Sequence, residues 1–226
     1  MDQPTEPTAN IGAPTAANLA VALLVLVSVA AFSAGSGYLF GIHKATVSQT
    51  VKTPNLDISP GVEKAIQPSL DELIRLGKEQ ALVAEAKQAN VKNQKLTPAL
   101  INQLDQNWQK SDSKDEVIVP FLSNAAALAL LQFQEKQPDF TEIFATDGRG
   151  LNIAMTNKTS DYLQADEDWW VKAFSDGTGK SFHGHIEFDE SSQTEAIALY
   201  APILSDGKAI GVIKALLDVN SVKYRL

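Results

Sequence analysis

The spacing of apolar residues divides this chain into three zones. Leu19 to Ile42 reads LAVALLVLVSVAAFSAGSGYLFGI, an uncharged run of the length needed for a helix to cross a bilayer. From Gly61 to about Asn90, Val62, Ile66, Leu70, Leu73, Leu76, Ala81 and Ala84 recur at helical spacing, which predicts one long amphipathic helix kinked near Pro68. Thr97-Pro98 supplies a cap and a first-turn proline for a second helix to about Lys110. A third is expected from about Asp115 to Glu135, apolar through Ile118, Phe121, Leu122, Ala125, Leu128 and Leu131.

From Phe140 the pattern shifts to strands. Ile143-Phe-Ala and Leu151-Asn-Ile-Ala-Met flank a tight turn at Asp147-Gly148, and a short helix is expected from Asp166 to Phe174. Lys180 to Phe188, Thr194 to Leu204 and Ala209 to Val219 follow as three strands joined by turn-forming Glu190-Ser-Ser and Ser205-Asp-Gly. Hairpin connections favour an antiparallel sheet of five strands with the helices on one face, an α+β fold. The expected organisation is a flexible Pro/Thr/Ala-rich tail (1–18), a transmembrane helix (19–42), a linker (43–60) and one domain (61–226), helical over 61–136 and sheet over 140–220.

The competitor to an uncleaved anchor is a signal peptide cut near the small residues Ala31, Ser33 and Gly35. The leader before the run lacks the basic segment such peptides carry. Lys44 and Lys52 follow the run while Asp2 and Glu6 precede it, so flanking charge alone would place the C-terminal part in the cytoplasm. Ser33, Gly37 and Gly41 form a small-residue stripe through which the anchor could dimerise, although small residues are also common in membrane helices.

A formal net charge of −8 removes the basic surface that nucleic acid or another acidic partner would need. With no cysteine in the chain, disulfides, thiolate metal sites and cysteine nucleophiles are excluded. Neither a nucleophile elbow nor a phosphate-cradling glycine loop is present, so the chain is not read as an enzyme and no cofactor is implied.

The candidate chemistry lies between Thr146 and His185. Trp169 and Trp170 are adjacent on a short helix and point about 100° apart, so one is expected to pack inward and the other to line a space. Burial of both in the core is the alternative. The carboxylates of Asp166-Glu167-Asp168 suit the positive end of the helix dipole, and capping would explain them without a ligand. On the strand Lys180 to Phe188, strict alternation puts Phe182, Ile186 and Phe188 on one face and His183, His185 and Glu187 on the other. His-x-His-x-Glu has the donor chemistry of a metal site, but no fourth ligand can be named, so a polar face lining a pocket is the reading and no metal site is assigned.

The segments Glu142-Ile-Phe-Ala-Thr-Asp-Gly-Arg-Gly, Thr159-Ser-Asp-Tyr, Asp166-Glu-Asp-Trp-Trp, Pro202-Ile and Gly211-Val-Ile-Lys together resemble the Cache family of extracytoplasmic, PAS-like sensor domains of bacteria, in its single-module form. The resemblance spans about Asp57 to Asn220 and includes Leu104-Asp-Gln-Asn-Trp108. It implies a PAS-like five-stranded antiparallel sheet backed by a long N-terminal helix. It also implies a place on the outer side of the bacterial inner membrane, which overrides the flanking-charge reading, and a small-molecule ligand.

Amino-acid-binding members of that family carry a Tyr, Arg, Trp, Tyr pattern that corresponds here to Tyr162, Glu167, Trp169 and Trp170. Where those members pair an arginine with the ligand carboxylate this chain has Glu167, which would repel it. Where they place an aspartate for the ligand amine, this chain has Leu216, with Asp218 two residues on. The resemblance therefore implies a ligand other than a free α-amino acid, cationic or neutral, held by Tyr162, Glu167, Trp169, Trp170, His183 and His185. The chain runs to Leu226 with no kinase, methyl-accepting or cyclase region after the sheet, which predicts signalling through a partner protein. The alternative is a membrane-tethered scaffold whose pocket is occluded.

Overall fold

The computed structural model describes residues 58–189 and 194–223. The expected tail, transmembrane helix, small-residue stripe and most of the expected linker lie outside the described residues. Among the described residues no helix is long and apolar enough to cross a membrane.

The long amphipathic stretch forms two helices, α1 (Pro60–Leu76) and α2 (Gln80–Asn93), interrupted at Gly77 to Glu79 and not at Pro68. Packing sets the break. A Cβ on Gly77 would lie 2.4 Å from the carbonyl oxygen of Pro202, so the end of α1 passes directly against a strand. The interruption also resets the helical phase. The buried residues of α2 are Leu82, Ala86, Ala89 and Asn93, whereas Ala81 and Ala84, which continue the phase of α1, are partly or fully exposed.

The second helix, α3 (Pro98–Lys110), has the expected cap: Thr97 Oγ1 accepts from the Leu100 amide. The third is split into α4 (Val119–Ser123) and α5 (Ala125–Lys136) by Asn124. Asn124 Oδ1 accepts from the Ala127 amide and starts α5, while its Nδ2 donates to the Ile153 carbonyl at 2.7 Å. The new phase buries Ala126, Ala127 and Leu130 and leaves Leu128 half-exposed.

The sheet consists of β1 (Phe140–Asp147), β2 (Asn152–Met155), β3 (Phe182–Asp189), β4 (Thr194–Ser205) and β5 (Lys208–Asp218). Every pairing is antiparallel, in the order β2-β1-β5-β4-β3. This fits the PAS-like arrangement that the resemblance implies. The short helices α6 (Asp168–Phe174) and α7 (Val219–Lys223) precede β3 and follow β5. One face of the sheet, through Ile143, Ala145, Ile197, Leu199, Ile213, Ala215 and Leu217, buries the apolar sides of α1, α2 and α5. Complete burial of a leucine such as Leu73 or Leu82 stabilises by about 2 kcal/mol, so this face anchors the domain. The opposite face, through Tyr200 and Val212, packs against α6.

The β1–β2 turn differs from the expected Asp147-Gly148 geometry, because the left-handed residue is Gly150 at φ 74°. The buried Asp147 carboxylate organises the turn, its Oδ1 accepting from the amides of Arg149 and Leu151 and its Oδ2 from Asn93 Nδ2. At the same end of the sheet, where Asp147 pairs with Gly211, the β4–β5 turn has Asp206 and Gly207 at φ 52° and 76°, the two left-handed positions that a two-residue hairpin requires.

Two glycines separate steric from conformational cost. A Cβ on Gly211 would meet the Thr146 carbonyl oxygen at 2.1 Å, where two backbones touch and neither can yield. Gly211→Ala is expected to destabilise the domain by about 2–3 kcal/mol. Gly207→Ala meets nothing within 4 Å and is expected to cost about 1 kcal/mol through its positive φ. Denaturant midpoints of the two variants should preserve that order.

Candidate functional site

Two clefts flank the segment between β2 and α6, and each takes part of the residue set expected from sequence. The segment is fastened from below by α3. Asp105 Oδ1 accepts from the amides of Tyr162 and Leu163 at 2.7 and 3.0 Å, and Trp108 Nε1 donates to the Thr159 carbonyl at 2.9 Å.

The first cleft, about 740 Å³, lies between the sheet face and α6. Trp169 forms its wall, stacked on Tyr200 with ring centroids 5.1 Å apart and planes 16° from parallel. Phe182 packs against the same Tyr200 at 4.7 Å. Two lysines reach into this aromatic layer, Lys214 with Nζ 5.0 Å from the Trp169 ring and Lys172 with Nζ 3.9 Å from that of Phe182. Around them the cleft presents five carboxylates, from Asp161, Asp166, Glu167, Asp168 and Glu187. No side-chain hydrogen bond caps α6: Glu167 is the N-cap residue, and its backbone carbonyl accepts from Trp170.

The adjacent tryptophans separate as helical geometry requires. Trp169 is partly exposed on the cleft, whereas Trp170 is buried, stacked on Phe174 at 4.7 Å, with Nε1 donating to Thr146 Oγ1 at 2.9 Å. Tyr162 is brought to neither. It packs with Trp108 and Phe121, at 5.2 and 5.8 Å, on the far side of the segment. The space expected between Tyr162 and Trp169 is therefore two separate spaces.

A bulge in β3 breaks the expected alternation. His183 pairs with Leu199 and Ile186 with Ile197, so β3 uses one residue more than β4 between them. Phe182 and Ile186 consequently face opposite sides of the sheet, Phe182 toward Tyr200 and Ile186 toward the helix-covered core. His183, opposite core-facing Leu199, brings Nε2 to 3.8 Å from Glu63 on α1, while Glu187 stands close enough to Tyr200 to act on its hydroxyl. His183 and His185 both border the first cleft, but His183 and Glu187 do not share a face of the strand. Among the described residues no group of three or more His, Asp or Glu side chains is placed to hold a metal ion.

Sequence reasoning missed Tyr200, Lys172, Phe182 and Lys214 as cleft residues. Lys214 did leave a signal, since it is the lone charge between Lys208 and Asp218 in an otherwise apolar strand. Leu216 follows two residues later on the same face of β5. Asp218 is engaged at the strand end, where its Oδ1 accepts from the Asn220 amide.

Both tyrosines are shifted by their surroundings. Burial, with the nearby Asp147 charge, pushes the Tyr162 hydroxyl from its ordinary 10.0 to about 12. Burial and then the charges of Glu187 and Glu167 push Tyr200 up as well.

No protein-family model and no curated protein sequence matches the chain. Solved structures similar in fold are sensory domains of chemoreceptors and histidine kinases. The sensory domain of the Campylobacter jejuni chemoreceptor Tlp3 with isoleucine bound is 15% identical over 74% of this chain and 67% of its own, with a TM-score of 0.36. The V. cholerae histidine kinase DctB sensor domain is 14% identical over 72% of this chain and 54% of its own, at 0.40. The ligand-binding domain of the Pseudomonas fluorescens chemoreceptor CtaA in complex with L-valine is 14% identical over 69% and 64%, at 0.35. This chain thus spans roughly half to two thirds of the solved domains.

The site geometry gives two expectations. Trp170→Ala is expected to cost about 3–5 kcal/mol, and Trp169→Ala distinctly less because its ring is partly exposed; chemical denaturation measures both. Tyr162 and Tyr200 hold their protons more tightly folded than unfolded, so their contribution is complete below pH 10 and is lost as pH rises through the folded values. Stability should therefore fall between about pH 10 and 12, and Tyr162→Phe should flatten that fall in thermal unfolding measured across the range.

Proposed function

We propose that residues 61–226 are a Cache-type sensor domain held at the outer side of a bacterial inner membrane by the Leu19–Ile42 helix. In this reading the domain binds a small cationic ligand in the cleft between α6 and the sheet and passes that event to a partner signalling protein. The observation that carries it is the composition of one wall: a stacked Trp169–Tyr200 pair ringed by five carboxylates, with two lysines already seated against aromatic rings. An organic cation gains on such a surface twice, from the ring faces and from the carboxylates. By the family resemblance, Glu167 and Leu216 stand at the positions where amino-acid-binding members hold the carboxylate and the amine of their ligand, and neither residue can do so here. Trp170 supports the wall from behind and does not touch the ligand, and Tyr162 belongs to a different space.

Thermal-shift screening tests the reading. Small organic cations such as putrescine and choline are expected to raise the melting temperature, with a ligand at a hundredfold excess over its Kd adding about 2.7 kcal/mol. Trp169→Ala and Glu167→Gln should remove the shift while leaving the unliganded protein folded. Stabilisation by ordinary amino acids or by dicarboxylates, with none from cations, would overturn it. A domain that answers to no small molecule and co-purifies with a protein partner would instead be the occluded scaffold.

A further inference from the structure

In a cleft rich in carboxylates, Lys172 reaches for a ring. Asp168 lies four residues before it on α6, the spacing at which opposite charges meet on a helix. Among the described residues, however, no carboxylate is within ion-pair distance of Lys172. Its Nζ lies over the Phe182 ring instead, 3.9 Å from the centroid, while the residue as a whole is exposed. Lys214 differs in both respects, being partly buried on a central strand and 5.0 Å from the Trp169 ring.

The rings form a ladder. Phe182, Tyr200 and Trp169 follow one another with centroids 4.7 and 5.1 Å apart. Tyr200 takes one side of Phe182, so an ammonium 3.9 Å from the centroid must cover the other. The outer face of Phe182 is thus filled by the chain itself. Two positive charges cannot share one ring face, and a cation from solution that uses this ring has to displace the lysine. Lys172 is able to leave. It sits in the last turn of a short helix, its stem is exposed, and Asp168 is at hand to receive its charge.

We propose that Lys172 is a displaceable internal ligand of the first cleft: its ammonium occupies the outer face of Phe182 and gives that face up to an incoming organic cation. The proposal rests on the cation reading of this cleft and adds a residue that sets its affinity. An exposed cation–π contact favours the seated lysine about two- to fivefold, so competition weakens cation binding about three- to sixfold.

Isothermal titration calorimetry of the full-length protein with choline chloride tests this. Lys172→Ala, at an exposed helix position, is expected to fold normally and to bind choline about three- to sixfold more tightly than the wild type. Lys180→Ala, which removes an equal charge from an exposed residue outside the cleft lining, should bind as the wild type does. Phe182→Leu removes the contested ring, so adding Lys172→Ala to it should change the affinity no further. Phe182→Ile takes its place if that variant does not fold. A lysine acting only through its charge would tighten binding equally with and without the ring, and that result would overturn the proposal, as would the same gain in Lys180→Ala. Choline binding in the wild type that is unchanged or weakened in Lys172→Ala would overturn it while leaving the cation reading in place. Absence of choline binding in both proteins would overturn the two together.

Discussion

The attachment of α3 to the segment between β2 and α6 is the constraint on which the cleft-bearing side of this domain depends. A single carboxylate oxygen of Asp105 takes two consecutive backbone amides, and the Trp108 indole takes the Thr159 carbonyl. These bonds hold residues that belong to no helix or strand other than the single bridge between Leu151 and Leu163. Backbone polar groups so placed need partners as strictly as those in a strand, and α3 supplies them. With the segment pinned, Tyr162 must turn toward Trp108 and Phe121, and α6 must begin where it lays Trp169 against Tyr200.

The same fastening gives the two clefts their different chemistry. On the α6 side, the helix begins with acidic residues and none of their side chains caps it, so the carboxylates stand around a ring stack. On the α3 side, the rings of Trp108, Phe121 and Tyr162 border a largely apolar space. One wall is charged and the other largely apolar. The helix-covered core behind the sheet supplies the rigidity on which both rest.

Helical and strand spacing in the sequence was sufficient for the element types, and for several boundaries. The Thr97-Pro98 start of α3, the Asp206-Gly207 hairpin and the alternation of β5 follow from local rules that neighbours did not override. The phase of the helices did not follow. Gly77 and Asn124 interrupt stretches that read as continuous because each is engaged by a residue far away in sequence, Pro202 and Ile153. The bulge between His183 and Ile186 was hidden for a similar reason. An extra residue in one strand is defined only against its partner, and period-two reasoning on a single strand cannot contain it.

What the chain determined by itself was the division of labour between adjacent residues: a 3.6-residue period obliges Trp169 and Trp170 to diverge, and one is buried while the other lines a cleft. Glu167 likewise carries its charge wherever the helix is put. Which space each aromatic enters was decided only by tertiary structure. Tyr162 lies seven residues before Trp169 and across the pinned segment from it, so nearness in sequence became separation in space. Tyr200 acquired its part in the same way, since a stacking partner exists only once distant elements have been packed together.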